Sequence, residues 1–293
     1  MALIPPGLIL DPPQPDRHCY GLLTGLQSLT EPTDPHWRSG VQVPSWFCSD
    51  LDSTFAECPP VTGGPDLPAK SFDRGVDFCE SDPFIVYSSL SCPPVGWTGE
   101  QFYQIVKDRY GANVERALEN IFWTGTTSNG PVSPSLAFGN PSCGIVPVDL
   151  SPGVALSPVA ALGVLESALA DCWPGPGTIH MNFGAVPFFA TADLLVRRED
   201  RLETFSCNKV IAGAGYPGTG PAGVAPVDGT TWIFATSEIV GWRGEAFFNP
   251  PELEEAFDKQ VNDLTVRLET EWALSFVCCL FAVQVALCSG PCV

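Results

Sequence analysis

Apolar positions along the 293-residue chain change period several times, and each change marks an element. The clearest run follows Thr98: Phe102, Ile105, Val106, Tyr110, Val114, Ala117, Leu118, Ile121 and Phe122 recur at steps of three and four. That is the spacing of one helix face, and it predicts a helix over 98–123 of about six turns. Thr98 and Gln101 fit a capping box, in which each side chain satisfies a backbone donor at the helix start. Gly111 in mid-pattern marks a place for a kink. A second helix begins at Ser157, with Pro158 in the favoured first position, buries Leu162, Leu165, Leu169 and Cys172, and stops at Pro174-Gly175. A short acidic helix is expected from Pro250 to Phe257, with Asn249 as cap and Glu252 near its positive end.

Elsewhere the pattern reads as strand: Val41–Phe47, Ser71–Phe78, Phe84–Leu90, Thr178–Asn182, Cys207–Ala212, Trp232–Thr236, Glu238–Phe248 and Asn262–Leu287, separated by Gly/Pro turns. The longest apolar stretch, Trp272–Leu287, is interrupted by Ser275 and Gln284 and has no basic flanks. It falls short of the roughly 20 residues that cross a bilayer, so it reads as one buried strand or two joined end to end. Residues 1–35 are Pro-rich and without a period, which implies disorder or an extended arm lying on another surface. Residues 36–83 alternate extended runs with turns at Pro59-Pro60 and Gly63-Gly64-Pro65, a long hairpin-like excursion. No fixed-period repeat is present, and the class is α+β.

Composition narrows the picture. With 45% hydrophobic and 16% charged residues, disorder over most of the length is excluded. Fourteen basic residues against 33 acidic ones leave a net charge of -19. A nucleic-acid-gripping protein displaces counterions with clustered Lys and Arg, and this chain lacks them. Met1 to Pro15 carry neither a basic nor a long apolar leader segment. Synthesis in a reducing cytoplasm, with the 12 cysteines mostly free and buried, is therefore the expectation. No Cys-x-x-Cys occurs, and the adjacent Cys278 and Cys279 would point to opposite faces of a strand.

Candidate chemistry is thin. Gly213-Ala-Gly215-Tyr-Pro-Gly218 has the spelling of a dinucleotide loop, but Pro217 and the glycines beyond it leave no helix to present amides to a pyrophosphate. An exposed, flexible Gly-rich loop is expected there. Gly-x-x-x-x-Gly-Lys-Ser/Thr and Gly-x-Ser-x-Gly are both absent. His18, His36 and His180 are scattered, and Cys172 with His180 is the one conceivable Cys/His pair singled out. Glu254/Glu255 and Asp50/Asp52 read as solvated surface. No catalytic, cofactor-binding or metal residue is assigned, and neither enzyme activity nor a cofactor is expected. The aromatics are more informative: Trp37, Trp46, Phe47 and Phe55 sit in early segments with little local core and need a covering surface, either their own domain or a neighbouring subunit.

The order of these elements (arm, excursion, long helix, mixed sheet with helices, strand-rich end) resembles the Hong Kong 97-type shell fold of tailed-phage capsids and bacterial encapsulins. Leu202–Ile211 is similar to the family's turn before a core strand, and Val210–Pro221 resembles capsids of actinobacterial phages. The resemblance implies an N-terminal arm (1–35) and an extended loop (36–83). It implies a peripheral domain (84–144) with a spine helix (98–123), an axial domain (145–230), and a closing peripheral sheet with the C-terminal strand (231–293). It further implies a structural protein of the virion, assembled in the host bacterial cytoplasm, that pairs with itself as pentamers and hexamers of an icosahedral shell. Scaffolding, portal and decoration proteins would be its other partners. Packaged dsDNA would lie nearby without sequence-specific binding, and no membrane is involved. Some family members crosslink themselves through Lys–Asn pairs. None is assigned here, although Lys70 falls in the loop. An acidic lining suits a DNA-filled shell, because a basic one would hold the genome. The alternatives are a tail, baseplate or minor capsid subunit, an encapsulin-like cage, and a secreted Cys-rich enzyme or binding domain.

Overall fold

The computed structural model describes residues 19–45, 48, 78–92, 98–199, 201–251, 257–258 and 263–287. A one-turn helix α1 (Leu22–Gly25) leads into β1 (Ser28–Thr30), and β2 (Val41–Pro44) pairs with β3 (Phe78–Ser81). Next come β4 (Phe84–Cys92), the long helix α2 (Gly99–Thr124), a small hairpin of β5 (Thr126–Thr127) and β6 (Gly130–Pro131), and β7 (Val148–Asp149). Helix α3 (Pro158–Cys172), β8 (Thr178–Asn182), α4 (Val186–Thr191), β9 (Leu195–Arg198), β10 (Arg201–Thr204) and β11 (Lys209–Gly213) follow. The chain closes with β12 (Thr230–Thr236), β13 (Ile239–Arg243), β14 (Phe247–Asn249), β15 (Phe257–Asp258), β16 (Asp263–Phe276) and β17 (Leu280–Ala286).

Helix α2 begins as its sequence specifies. The Gln101 amide donates to Thr98 Oγ1 at 3.3 Å, and the Thr98 amide donates to Gln101 Oε1 at 2.8 Å. At the far end Gly125 takes a left-handed conformation (φ 63°) that lets its amide cap the Ile121 carbonyl. The 26 residues between form one uninterrupted helix, about 39 Å long at 1.5 Å per residue. Gly111 does not interrupt it, and its position faces open space.

Two sheets share this helix. In the six-stranded sheet β16 is the trunk, with β4 antiparallel along one edge from Trp272↔Phe84 to Leu264↔Cys92 and β13, β14 and β15 along the other. The seven-stranded sheet runs β7-β17-β12-β8-β11-β10-β9, with β8 and β11 parallel. Side-chain alternation divides its two faces. Ile211, Phe234, Leu280 and Ala282 pack toward α2, while Ile179, Met181, Ile233, Ala235, Val283 and Val285 pack with the α3 residues Leu162, Leu165 and Leu169. Along β16, Leu264, Val266 and Leu268 meet Phe102 and Val106 at the start of α2. Further along, Trp272, Leu274 and Phe276 join Val114, Leu118 and Phe122 at its end.

The segment Asn262–Leu287, whose apolar end was expected as one buried strand or two joined end to end, is two strands. Between Val277 and Cys279 the chain leaves one sheet for the other, and the return crossing at Ser237-Glu238, between β12 and β13, lies alongside. Buried Ser237 Oγ accepts the amides of Val277 (3.3 Å) and Cys278 (3.2 Å), satisfying donors freed by the break. Glu238–Phe248 is likewise split into β13 and β14. The expected acidic helix does not span Pro250 to Phe257: Asn249 belongs to β14 rather than capping a helix, and Phe257 pairs with Leu264. Strand pairing along β16 prevails there over local capping signals, while residues 252–256, with Glu252, Glu254 and Glu255, lie outside the described residues. Helix α4, six residues without a side-chain cap, was not among the expected helices; its start is marked by Pro187 in the first turn.

The N-terminal segment is also more anchored than its composition implies. Leu22 is fully buried, the Ala212 amide donates to Tyr20 O, and β1 adds to the sheet parallel to β13. Arm residues 1–18 and loop residues 46–47 and 49–77, with Trp46, Phe47, Asp50, Asp52, Phe55 and Lys70, lie outside the described residues.

Phe122 is 1% exposed at the meeting of both sheets and α2, whereas Phe205 is 69% exposed. Phe122→Ala is expected to lower unfolding free energy by about 3–5 kcal/mol in urea titrations, and Phe205→Ala to change it by no more than about 0.5 kcal/mol.

Candidate functional site

The polar groups that the fold concentrates lie where the second half of α2 meets the Gly-rich segment 213–220 and the N-terminal segment. Glu119 is 1% exposed and accepts the amides of Leu22 (3.1 Å) and Gly215 (2.8 Å); Glu115 accepts that of Leu23 (2.9 Å). One helix face thereby ties down two otherwise irregular segments. Burial pushes the Glu119 carboxyl up to about 7, against the lowering pull of the amides it binds and with a further rise from Glu115.

The glycines of this segment serve close packing. A Cβ at Gly215 would overlap the Arg116 carbonyl oxygen, and one at Gly220 would overlap the Trp232 ring. Tyr216 and Gly218 are buried. The expectation of an exposed, flexible loop is thus corrected: the absent side chains let the backbone lie flat on α2 and the sheet.

Behind this segment, His180 on β8 is fully buried. Its Nε2 lies 3.0 Å from Thr236 Oγ1, and its Nδ1 lies 3.1 Å from Tyr216 OH. The Thr236 hydroxyl donates to Ser237 O at 2.8 Å, so it must accept from Nε2–H, which leaves Nδ1 to accept from Tyr216. Burial lowers the ring's pKa to about 3, which keeps it neutral and makes Nδ1 the acceptor. Burial likewise raises the Tyr216 hydroxyl well above its usual range. His180 and Thr236 are fully buried and Tyr216 nearly so, and the bonds among them satisfy their buried polar atoms.

The pair Cys172/His180 does not form. Cys172 is bonded to Cys279, with Cα atoms 6.0 Å apart, and Cys48–Cys278 and Cys79–Cys143 are also disulfides, with Cα separations of 5.4 and 5.0 Å. This departs from the expectation of mostly free thiols; Cys19 and Cys207 are free and exposed. The partners lie 64 to 230 residues apart, so only the folded chain brings them together. Cys278 and Cys279 do diverge, each to a different partner. His36 is exposed beside Asp34, and Lys209 Nζ donates to Gln27 Oε1 at 2.6 Å. Trp37 folds back over Gly244 of its own chain. Among the described residues no group of His, Cys, Asp or Glu could hold a metal ion, and no helix is long and apolar enough to cross a membrane.

Solved structures share this architecture over almost the whole chain. The capsid of an empty GTA particle is similar with a TM-score of 0.59 at 12% identity, covering 97% of this chain and 96% of that one. A chain from Mycobacterium phage Adephagia gives a TM-score of 0.55 at 14% identity, covering 99% and 96%. The capsid of Ralstonia phage GP4 gives 0.53 at 11% identity, covering 99% and 98%. The chain has the Hong Kong 97-like shell fold. No protein-family model matches its sequence, and no curated protein does. In this shell fold α2 stands where the spine helix was expected; its own Glu115 and Glu119 tie down the N-terminal and 213–220 segments, and His180 of the sheet packs against its Phe122. Sequence reasoning found the helix but missed both carboxylates as buried groups. Their one signal was that they follow the apolar Val114 and Leu118 of the stripe by a single residue, at the edge of the buried face.

Glu119 and His180 act on stability with opposite sign. Glu119 is raised from 4.5 to about 7, so its contribution is full below about pH 4.5 and is lost as pH rises toward 7. His180 is lowered from 6.5 to about 3, so its contribution is full above 6.5 and is lost as pH falls. The two slopes oppose each other between about pH 4.5 and 6.5. Glu119→Gln leaves only the His180 slope. Its urea-unfolding free energy, measured across that window, is expected to gain with pH relative to wild type by up to about 1.4 kcal/mol per pH unit.

Proposed function

We propose that this chain is the major capsid protein of a tailed bacteriophage, a structural subunit and not an enzyme. The observation that carries the reading is the end-to-end match to capsid chains, covering 96–98% of the two shell proteins as well as nearly all of this chain. A fragmentary likeness would be compatible with a shared core alone; a match over the whole order of elements includes the parts that meet neighbours in a shell.

On this reading the subunit belongs to the virion and its principal partner is itself, as pentamers and hexamers, with scaffolding, portal and decoration proteins as further partners. Residues 1–35 are the arm, of which 19–35 lie anchored on the body, and 36–83 are the extended loop. The six-stranded sheet with α2 is the peripheral domain. The seven-stranded sheet with α3 and α4 is the axial domain, which on this division also takes in β12 and β17 from the 231–293 segment. The net charge of -19 supports a lining that repels packaged dsDNA rather than gripping it. Val154, Val159 and Val227 are each about 60% exposed or more, apolar surface that packed subunits would cover. Arms and loops that reach neighbours multiply the contact area of each subunit, and closed symmetry lets modest interfaces add up.

Expression of the full chain, with a scaffold partner where one is required, is expected to give large closed particles by sedimentation and negative-stain microscopy. A protein that stayed monomeric under all such conditions would contradict the shell role. Deleting residues 1–18 is expected to prevent closure while leaving the urea midpoint within error of wild type. Deleting 1–35 is expected to lower that midpoint as well, because it removes buried Leu22 and the amides held by Glu115 and Glu119. Normal shells from the 1–18 deletion would overturn the arm assignment.

A further inference from the structure

The two crossings between the sheets, Ser237-Glu238 and Val277–Cys279, run side by side. They form a two-strand hinge about which the sheets could bend. Helix α2 packs against both sheets on one side of it, through Phe122, Phe234 and Phe276. Cys278 and Cys279 lie at the hinge itself and belong to the other core, with Leu165, Leu169 and Val283 of the α3 side. From there Cys278 bonds to Cys48, which precedes the 49–77 segment, and Cys279 bonds to Cys172, the last residue of α3. The third bond, Cys79–Cys143, ties β3, at the other end of that segment, to the turn at Pro141–Cys143.

We propose that the Cys48–Cys278 and Cys172–Cys279 bonds are a thiol–disulfide lock on the inter-sheet hinge. Reduced, the hinge is held on the α2 side alone; oxidised, it is stapled on both sides, and the start of the 49–77 segment and the end of α3 are fixed to it. The inference concerns the chain itself and stands apart from the shell reading.

The chemistry follows from exposure. Cys278 and Cys279 are 4% and 5% exposed, whereas Cys48 and Cys172 are only part-buried. The reagents that reach the lock therefore meet Cys48 and Cys172 first. With a low-molecular-weight disulfide as oxidant, the Cys48 thiolate attacks one of its sulfurs. That bond breaks, a mixed disulfide forms, and one small thiol leaves. The Cys278 thiolate then attacks the Cys48 sulfur and expels the second small thiol. Two cysteine thiols are oxidised, one small disulfide is reduced to two thiols, and the two cysteine protons end on those thiols. Cys172 and Cys279 react in the same way. A chain made in a reducing compartment would thus close its lock on meeting an oxidising one.

The test uses the full chain as purified, reduced with a phosphine, then exposed to glutathione disulfide and quenched by alkylation at intervals. Free, exposed Cys19 and Cys207 take up glutathione independently of the lock; among the four lock cysteines, peptide mapping is expected to find it first on Cys48 and Cys172, followed by the two native pairs. In Cys278→Ser, glutathione is expected to stay on Cys48. Reduction of the wild-type protein, which needs no substitution, is expected to lower the melting temperature by on the order of 5–10 °C. It is also expected to speed amide exchange at residues 237–238 and 277–279 roughly tenfold or more, with little change in the middle of α2. Crossed pairs such as Cys48–Cys172, first attack at Cys278 or Cys279, or hinge exchange unchanged by reduction would each overturn the lock.

Discussion

Phe122 stands 6.0 Å from Phe276, at the end of the six-stranded sheet, and 5.7 Å from His180, in the seven-stranded one. The next residue, Trp123, packs on Phe234 and Tyr216 and donates its indole N–H to Thr219 O at 2.9 Å. Two side chains in the last turns of one helix thus hold two sheets and a loop together. Neither sheet can bury its inner face alone. Without α2 the apolar sides of β12, β16 and β17 would face water, and the hydrophobic free energy that joins them would be absent.

This dependence explains why polar groups are buried beside the helix. Where α2 turns its flank to the N-terminal segment and to residues 213–220, it meets backbone amides that no strand or helix satisfies. A buried amide without an acceptor costs more than a modest hydrogen bond returns. Carboxylates at positions 115 and 119, one turn apart, supply the acceptors. The penalty for that placement shows as the raised pKa of Glu119. His180 resolves the same problem on the sheet side by remaining neutral and bonding to hydroxyls at both nitrogens.

The buried polar clusters of this frame satisfy backbone donors and one another, and the likeness to capsid chains extends through the whole architecture. The inter-sheet hinge is the place where the frame can still change shape. Its cysteines sit there because the chain must cross between sheets at that point, and the crossing brings distant segments within bonding distance.

Local rules in the sequence determined much of this. The capping box at Thr98, the apolar stripe of α2, the Pro158 start of α3 and the strand Thr178–Asn182 were all legible, because each depends on neighbours within a few residues. The fold class and the order of elements followed from them. What only the tertiary structure decided depends on partners far along the chain. Two strands joined end to end was one reading of the run Trp272–Leu287, but the place of the break, Val277–Cys279, shows only in the pairing of β16 with β13 and of β17 with β12. Asn249 and Phe257 look like parts of a helix until β16 offers them backbone partners. The glycines of 213–220 read as freedom, yet they are close contacts, because the surface they lie on belongs to a helix about a hundred residues earlier. The binding role of Glu115 and Glu119 is absent from the sequence for the same reason: the amides they satisfy come from residues 22, 23 and 215. Sequence spacing carries helix faces and strand alternation; it does not carry which distant donor will need an acceptor.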